Sequence, residues 1–180
     1  MNEKTMTGYA AYCRGNVANT SYPNKVEITC EADLQRAAAF DHVCAAYRDG
    51  EDKHGHPVKA HRSVTTFKQA DCLPADLDND HSDNPADWKT PDHIKAAFPG
   101  VAFYAVPSRN HMKEKNGRAA RQKYHIYFPI EPVTDAAVYR QMKEQMLAIF
   151  PYFDDNAKDA ARFLYGVENA QVEFVGGDNA

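Results

Sequence analysis

Hydrophobic and polar positions change period along the chain, and those changes mark its elements. Before Lys25, Gly, Asn, Thr and Pro interrupt any period, and "KVEIT" (25 to 29) then reads as a short strand. From Glu31 to Tyr47 the period becomes helical: Phe40, Val43, Cys44 and Tyr47 fall at i, i+3, i+4 and i+7, and Leu34, Ala37 and Ala38 prolong the stripe. Residues 48 to 61 are polar, punctuated by Gly and Pro, and predict a loop. Residues 64 to 78 read as extended, with Pro74 marking a kink or a sheet edge. Thr90, Pro91 and Asp92 form a helix start signal for 90 to 98, and "VAFYAV" (101 to 106) predicts a buried strand.

"KYHIYFPI" (123 to 130) alternates, so Lys123, His125 and Tyr127 share one face and Tyr124, Ile126 and Phe128 the other. Residues 134 to 150 predict the clearest helix, with Val138, Met142, Met146, Ile149 and Phe150 on one side and Pro151 ending it. A short helix near 155 to 162 and strands near 163 to 165 and 171 to 175 complete the series. Such an order predicts a mixed α/β (α+β) domain in which helices cover one face of a largely antiparallel sheet. One domain over 1 to 180, with 1 to 20 and 176 to 180 peripheral, fits the length of 180 residues.

Composition narrows the class. An apolar fraction of 43% with 26% charged residues belongs to a folding chain, not a disordered one. No run approaches the roughly 18 apolar residues of a membrane span, and "MNEKTMTGYAAYC" lacks the apolar core of a signal peptide, so a soluble, cytoplasmic protein without a membrane partner is expected. Cys13, Cys30, Cys44 and Cys72 form no C-x-x-C pair, and reduced, mostly buried thiols follow. The net charge of −4 hides an uneven distribution. Residues 71 to 92 hold seven Asp against one Lys, and 109 to 125 hold six Lys or Arg against one Glu. An acidic block followed by a basic one suits a site that pairs metal cations with a phosphorylated ligand.

Three readings compete for "PADLDNDHSDNPADW" (74 to 88). Asn, Asp, Ser and Pro are turn residues, and the stretch is a turn on composition alone. Counted as a calcium loop, Asp76, Asp78, Asp80, Asn84 and Asp87 take positions 1, 3, 5, 9 and 12, but His81 stands where Gly is needed and no helix feeds the loop. As the end of a strand, Asp76 and Asp78 point to one face about 6 to 7 Å apart, suited to a pair of Mg²⁺ or Mn²⁺ ions.

A metal-assisted phosphoryl-transfer site also needs an anion clamp and a third acid. Lys123 and His125, with Arg109, Lys113, Lys115, Arg118 and Arg121 from the preceding loop, can supply the clamp, although Lys113 and Lys115 suit a solvated loop and His125 an ordinary strand position. Asp154 is the candidate acid, with Asp155 or Asp159 as substitutes and Arg162 eight residues later; an Asp at a helix start also serves as a cap. A competing endonuclease reading takes His54 and His56 as metal ligands and a tyrosine such as Tyr139 as nucleophile, but Gly55 breaks the His-hydrophobic-His pattern.

In their order and spacing, "ADLD", "KYHIYF" and "FDDNAKDAARF" resemble the three motifs of the archaeo-eukaryotic primase (primase-polymerase) superfamily. With "FDHVCAAY" and "SRNHMKEKNGRAARQKYHIYFPI", the chain from about 20 to 175 is similar to the catalytic domains of bacterial mobile elements and phages. The resemblance implies an RRM-like sheet packed with an N-terminal α/β lobe, and template-directed nucleotide addition with two divalent ions. It implies Asp76, Asp78 and Asp154 as metal-binding catalytic acids, His125 on the triphosphate, and Arg162 as a basic position after the third acid. Lys123 stands where the family usually has Ser, which keeps a phosphate donor and alters its geometry. Single-stranded DNA template, primer and nucleoside triphosphates are the implied partners, with a helicase domain or protein beside them. A nucleic-acid-binding module without catalysis is the reading from another class.

Overall fold

Strand β7 (Phe67–Leu77) is the longest in the chain, and its two faces belong to different layers. The computed structural model describes residues 5–115 and 117–177. Chain order is β1 (Met6–Ala10), β2 (Asn24–Ile28), α1 (Glu31–Ala38), β3 (His42–Val43), β4 (Ala45–Tyr47), β5 (Gly50–Glu51), β6 (Pro57–Val58), β7, α2 (Pro91–Ala97), β8 (Phe103–Pro107), β9 (Tyr124–Val133), α3 (Ala136–Ile149) and β10 (Glu173–Val175). A central five-stranded sheet runs β10-β8-β9-β7-β4, a three-stranded sheet runs β2-β1-β3, and β5 pairs with β6. Every pairing is antiparallel, which gives the α+β class.

Period-two alternation divides the central sheet. Leu73, Ala75, Leu77, Ile126 and Phe128 pack under α2 and α3 with Ile94, Met146, Leu147 and Phe150. Cys72, Tyr104, Val106 and Tyr127 face the other way, onto Leu34, Ala37 and Ala38 of α1 and onto Met6 and Ile28 of the three-stranded sheet. Among the described residues no helix is long and apolar enough to cross a membrane. Of the four free cysteines, Cys44 and Cys72 are buried, Cys13 is half-buried and Cys30 is exposed.

Several expectations need correction. The helix expected over 31 to 47 stops at Ala38, and the rest of that stretch forms β3 on β1 and β4 on β7. Asp41 through Tyr47 are all buried, so apolar residues occupy both faces of these strands and mimic a helical stripe. Only Leu34, Ala37 and Ala38 of the predicted stripe lie on α1, and Phe40 is exposed. The inner face of α3 carries Tyr139, Lys143, Met146 and Leu147, whereas Val138 and Ile149 are exposed. Tyr139 donates from its hydroxyl to the Cys72 carbonyl at 2.7 Å, and Lys143 Nζ donates to the Asp159 carbonyl at 2.9 Å, so two residues that read as polar are core residues with satisfied tips. Residues 163 to 165 form no strand; Leu164 makes an isolated bridge to His42, and the helix expected near 155 to 162 is a 3₁₀ turn at Asp155–Lys158. β1 lies in the stretch that shows no period, and the expected loop at 48 to 61 contains the β5–β6 hairpin. Strands at 24 to 28, 103 to 107 and 173 to 175 and helix α2 stand where expected. Pro74 is tolerated because β4 pairs with β7 only as far as Ala70, leaving the later half of β7 with one sheet neighbour, β9.

Asp41, 0% exposed, holds the layers together. Its carboxylate accepts from the backbone N–H of Gly15 (2.9 Å), Asn16 (2.8 Å) and Gly166 (2.8 Å), joining two segments far apart in sequence. Gly166 is required at this crossing, since a Cβ there would meet the Phe40 carbonyl carbon at 2.6 Å. Replacing the acid strands three donors, so Asp41→Ala is expected to lower stability by about 3 kcal/mol or more, measured by urea unfolding. Asp41→Asn, which keeps one acceptor oxygen, should lose less.

Candidate active site

The β7–β9 register sets Asp76 opposite His125, and the β8–β9 register sets His125 opposite Val106. Asp78, one residue past β7, and Lys123, one residue before β9, lie on the same face by alternation. Four residues expected to act together are thus gathered at one end of the central sheet, on the face turned away from α2 and α3.

Asp76 is 6% exposed. Its Oδ2 accepts from Arg162 Nη2 at 2.6 Å and Nε at 3.0 Å, while Oδ1 lies 3.5 Å from His125 Nε2. Burial raises the Asp76 pKa above the usual carboxylate range despite the Arg162 charge, and the nearby Asp154 pushes in the same direction. Asp78 is raised in the same way, chiefly by burial, against the pull of Lys123, whose Nζ stands 3.3 Å from Asp78 Oδ1. His125 is driven the other way: burial, with Arg162 and Arg109 adding to it, lowers its pKa to about 4. The imidazole is therefore neutral at pH 7, and its contact with Asp76 is not an ion pair. His125 Nδ1 is buried with no hydrogen-bond partner among the described residues.

The basic loop divides its work. Arg121 is 2% exposed and holds the acidic turn, donating from Nη1 to the Asn79 carbonyl at 3.0 Å and pairing through Nη2 with Asp83. Its guanidinium holds the turn and also borders the cleft at which the nucleotide contact was expected. Asp80 gathers Lys123 (3.3 Å), Arg118 (3.5 Å) and Arg121 (3.5 Å). A cleft of about 360 Å³ opens among Asp78, Asp80, Lys113, Lys115, Arg118 and Lys123. Arg109 lies apart from it, its guanidinium 3.5 Å above the Tyr165 ring centroid and its Nε buried without a partner among the described residues. Gly15, at φ +74°, lets the backbone approach Arg109; a Cβ there would meet Nη1 at 3.2 Å.

Asp154 reaches Asp76 through the main chain, its N–H donating to the Asp76 carbonyl at 2.9 Å. Its carboxylate accepts from the backbone and side chain of Asn156 at 2.8 and 2.9 Å, capping the 3₁₀ turn. Asp155 pairs with Lys158 at 2.9 Å, and Asp159 Oδ1 accepts from the Ala161 N–H at 2.9 Å. Among the described residues, no three His, Cys, Asp or Glu side chains stand grouped to hold a metal ion. The donor set fits one divalent ion at the Asp76–Asp78 pair, where buried carboxylates with raised pKa would gain from added positive charge. A second ion would call on Asp154, whose cap uses Oδ1 and not Oδ2.

Other candidates fall elsewhere. Tyr139 is buried in the core, so its hydroxyl is not exposed for attack, and His54 and His56 sit on the exposed hairpin, where Asp52 binds His56 Nδ1 at 3.1 Å. The calcium-loop pattern follows a strand, and its later acids serve the turn: Asp87 accepts from the Ser82 hydroxyl at 2.7 Å. Sequence reasoning missed His42, Asp41, Lys143 and Tyr165 as supports. Lys143 and the Arg162 N–H, at 3.1 Å, share the Asp159 carbonyl, which fixes the turn that aims Arg162 at Asp76. Comparison with protein-family models, with curated proteins and with solved structures finds no match for this chain.

His42 couples the site to the N-terminal layer. Its Nδ1–H donates to the Phe40 carbonyl at 2.8 Å, so Nε2 accepts from the Tyr127 hydroxyl, also at 2.8 Å. Burial lowers its pKa to about 4 from 6.5. As pH falls from 6.5 to 4 the unfolded chain takes up a proton that folded His42 refuses, so stability drops by up to about 1.4 kcal/mol per pH unit. Unfolding titrations should show that loss in wild type and a shallower one in His42→Gln, with the wild-type His42 ring titrating near pH 4 by NMR.

Proposed function

We propose that the chain is a template-directed nucleotidyltransferase, a primase-polymerase that extends a 3′-hydroxyl with nucleoside triphosphates on single-stranded DNA during replication of a mobile element or phage. The observation that carries this reading is the register that sets Asp76 beside His125 and Asp78 beside Lys123, with Arg162 on the first acid. In the resemblance to primase-polymerases the same residues are the acids, the phosphate-binding histidine and the basic position after the third acid. The five-stranded sheet is then the RRM-like core, and β1 to β3 with α1 the N-terminal lobe. The cytoplasm is the compartment, and a helicase the partner, that such a role implies.

Asp76 and Asp78, with Asp154 through the oxygen its cap does not use, would hold Mg²⁺ or Mn²⁺, which when bound supplies activation of the 3′-hydroxyl and neutralisation of pyrophosphate. Lys123, Arg118 and the lysines of their cleft bind the triphosphate oxygens, and neutral His125 orients them by hydrogen bonding, not by charge. Arg162 holds Asp76 through Oδ2 and leaves Oδ1 beside His125. The new bond joins the 3′-oxygen to the α-phosphorus as the bond to the β-phosphate breaks.

One observation favours a second reading, a binding module without catalysis: Arg162 and Lys123 already neutralise both acids. Incubation with single-stranded template, labelled ribo- or deoxynucleoside triphosphates and Mn²⁺ or Mg²⁺, with and without primer, separates the two. Template-dependent products are expected, at least about a hundredfold fewer from Asp76→Asn and Asp78→Asn. Asp154→Asn keeps the cap and removes the charge; loss of product assigns Asp154 to the ions, and wild-type rates assign it to the turn. Products at wild-type level from Asp76→Asn would overturn the reading, and no product together with Mn²⁺-independent triphosphate binding in calorimetry would favour the binding module.

A further inference from the structure

Each of the two acids has a cation partner, and the two partners line different clefts. Lys123, on Asp78, faces the cleft assigned above to the triphosphate. Arg162, on Asp76, lines a second cleft of about 400 Å³ formed with Arg62, Arg140, Lys158, Asn156 and Phe163. The second cleft shares Arg162 and the 3₁₀ turn after α3 with the site described so far, and adds Arg62, Arg140 and Phe163 to them.

Its charge is positive. Four cations line it against two acids, Asp155 and Asp159, and Asp159 is turned toward the Ala161 N–H. Among the described residues Lys158 pairs with Asp155 and Arg140 with Glu144, i,i+3 and i,i+4 pairs with exposed partners. Such pairs are weak, and phosphate oxygens can displace them. Arg62 is pre-positioned: Nη1 donates to the Ala161 carbonyl at 2.9 Å, and the guanidinium lies 4.9 Å from the Phe163 ring centroid and 5.9 Å from that of Tyr22. Its Nε is buried and has no hydrogen-bond partner among the described residues. A desolvated donor, stacked and immobilised, beside mobile surface cations is chemistry that recognises phosphate oxygens.

We infer that this cleft binds the phosphodiester backbone of the nucleic-acid strand, with the acid pair between it and the triphosphate. The assignment to a strand rests on the nucleotidyltransferase reading, because joining a nucleotide to a chain end needs two polyanions on opposite sides of one metal-binding pair. Cations contributed by three separate segments, the turn before β7, α3 and the turn after it, suit an extended backbone better than one compact phosphate group.

Fluorescence anisotropy with a short labelled single strand, without metal or triphosphate, over a series of KCl concentrations, tests the cleft itself. Arg140→Ala/Lys158→Ala, both surface changes, is expected to bind on the order of tenfold more weakly and to show a salt slope shallower by about 1.4, roughly 0.7 for each lost phosphate contact. Lys25→Ala, which removes one positive charge from β2, should leave both quantities near wild type. Wild-type affinity and slope in the double variant would overturn the proposal. So would displacement of the strand by inorganic tripolyphosphate or a free nucleoside triphosphate at affinities that the double variant also weakens, since the cleft would then take free polyphosphate. Strand binding lost in the double variant, in a protein that shows no primer extension, supports the cleft and removes the polymerase reading alone.

Discussion

A carboxylate buried at the end of a sheet strand must be neutralised, and much of the structure around Asp76 does this. Little of it faces water, so the charge is supported by Arg162, whose Nε and Nη2 both donate to Oδ2. An arginine is effective only if it cannot swing away. The segment that carries it is pinned by Asp154 N–H on the Asp76 carbonyl, by Lys143 on the Asp159 carbonyl, by Arg62 on the Ala161 carbonyl and by the paired bonds between Leu164 and His42. One ion pair thus ties β7, α3, β3 and the turn after α3 into a single arrangement.

The same requirement shapes the other end of the pair. Asp78, Asp80 and Asp83 crowd one turn, and the basic loop folds back over them. Arg121 goes inside to support the turn, with Asn79 clamping it through the Lys89 and Gln122 carbonyls at 2.9 Å. Lys123 and Arg118 stay at the cleft. Acidic and basic blocks that looked like two halves of a ligand site are therefore also each other's counterions, and a ligand entering there exchanges partners with groups already paired.

Much of the site was legible because alternation in strands is a local property. Asp76 and Asp78, and Lys123 and His125, share faces by period two, and β7 and β9 have enough one-sided apolar residues to fix it. Stretches buried on both sides were not legible. Asp41 to Tyr47 lost its strand period because both faces are covered, and α3 was assigned a face one residue off because Tyr139 and Lys143 bury their stems and satisfy their tips at distant carbonyls. Asp154 was ambiguous from the start, and its carboxylate serves the cap.

The sequence alone determined the alternation of strands and helices, the antiparallel class and the D-x-D spacing that faces one way, since each depends on neighbours within a few residues. Only the tertiary structure decided which cations meet which acids. Arg162 lies 86 residues from Asp76, and the Gly166 amide lies 125 residues from the Asp41 carboxylate that accepts from it, so their pairing depends on how layers stack. Whether a charged group supports the fold or faces a ligand is set by burial, and burial exists only once those layers meet. Arg121 and Lys123, two residues apart and chemically alike, border the same cleft and share Asp80, yet burial draws Arg121 inward to hold the turn as well.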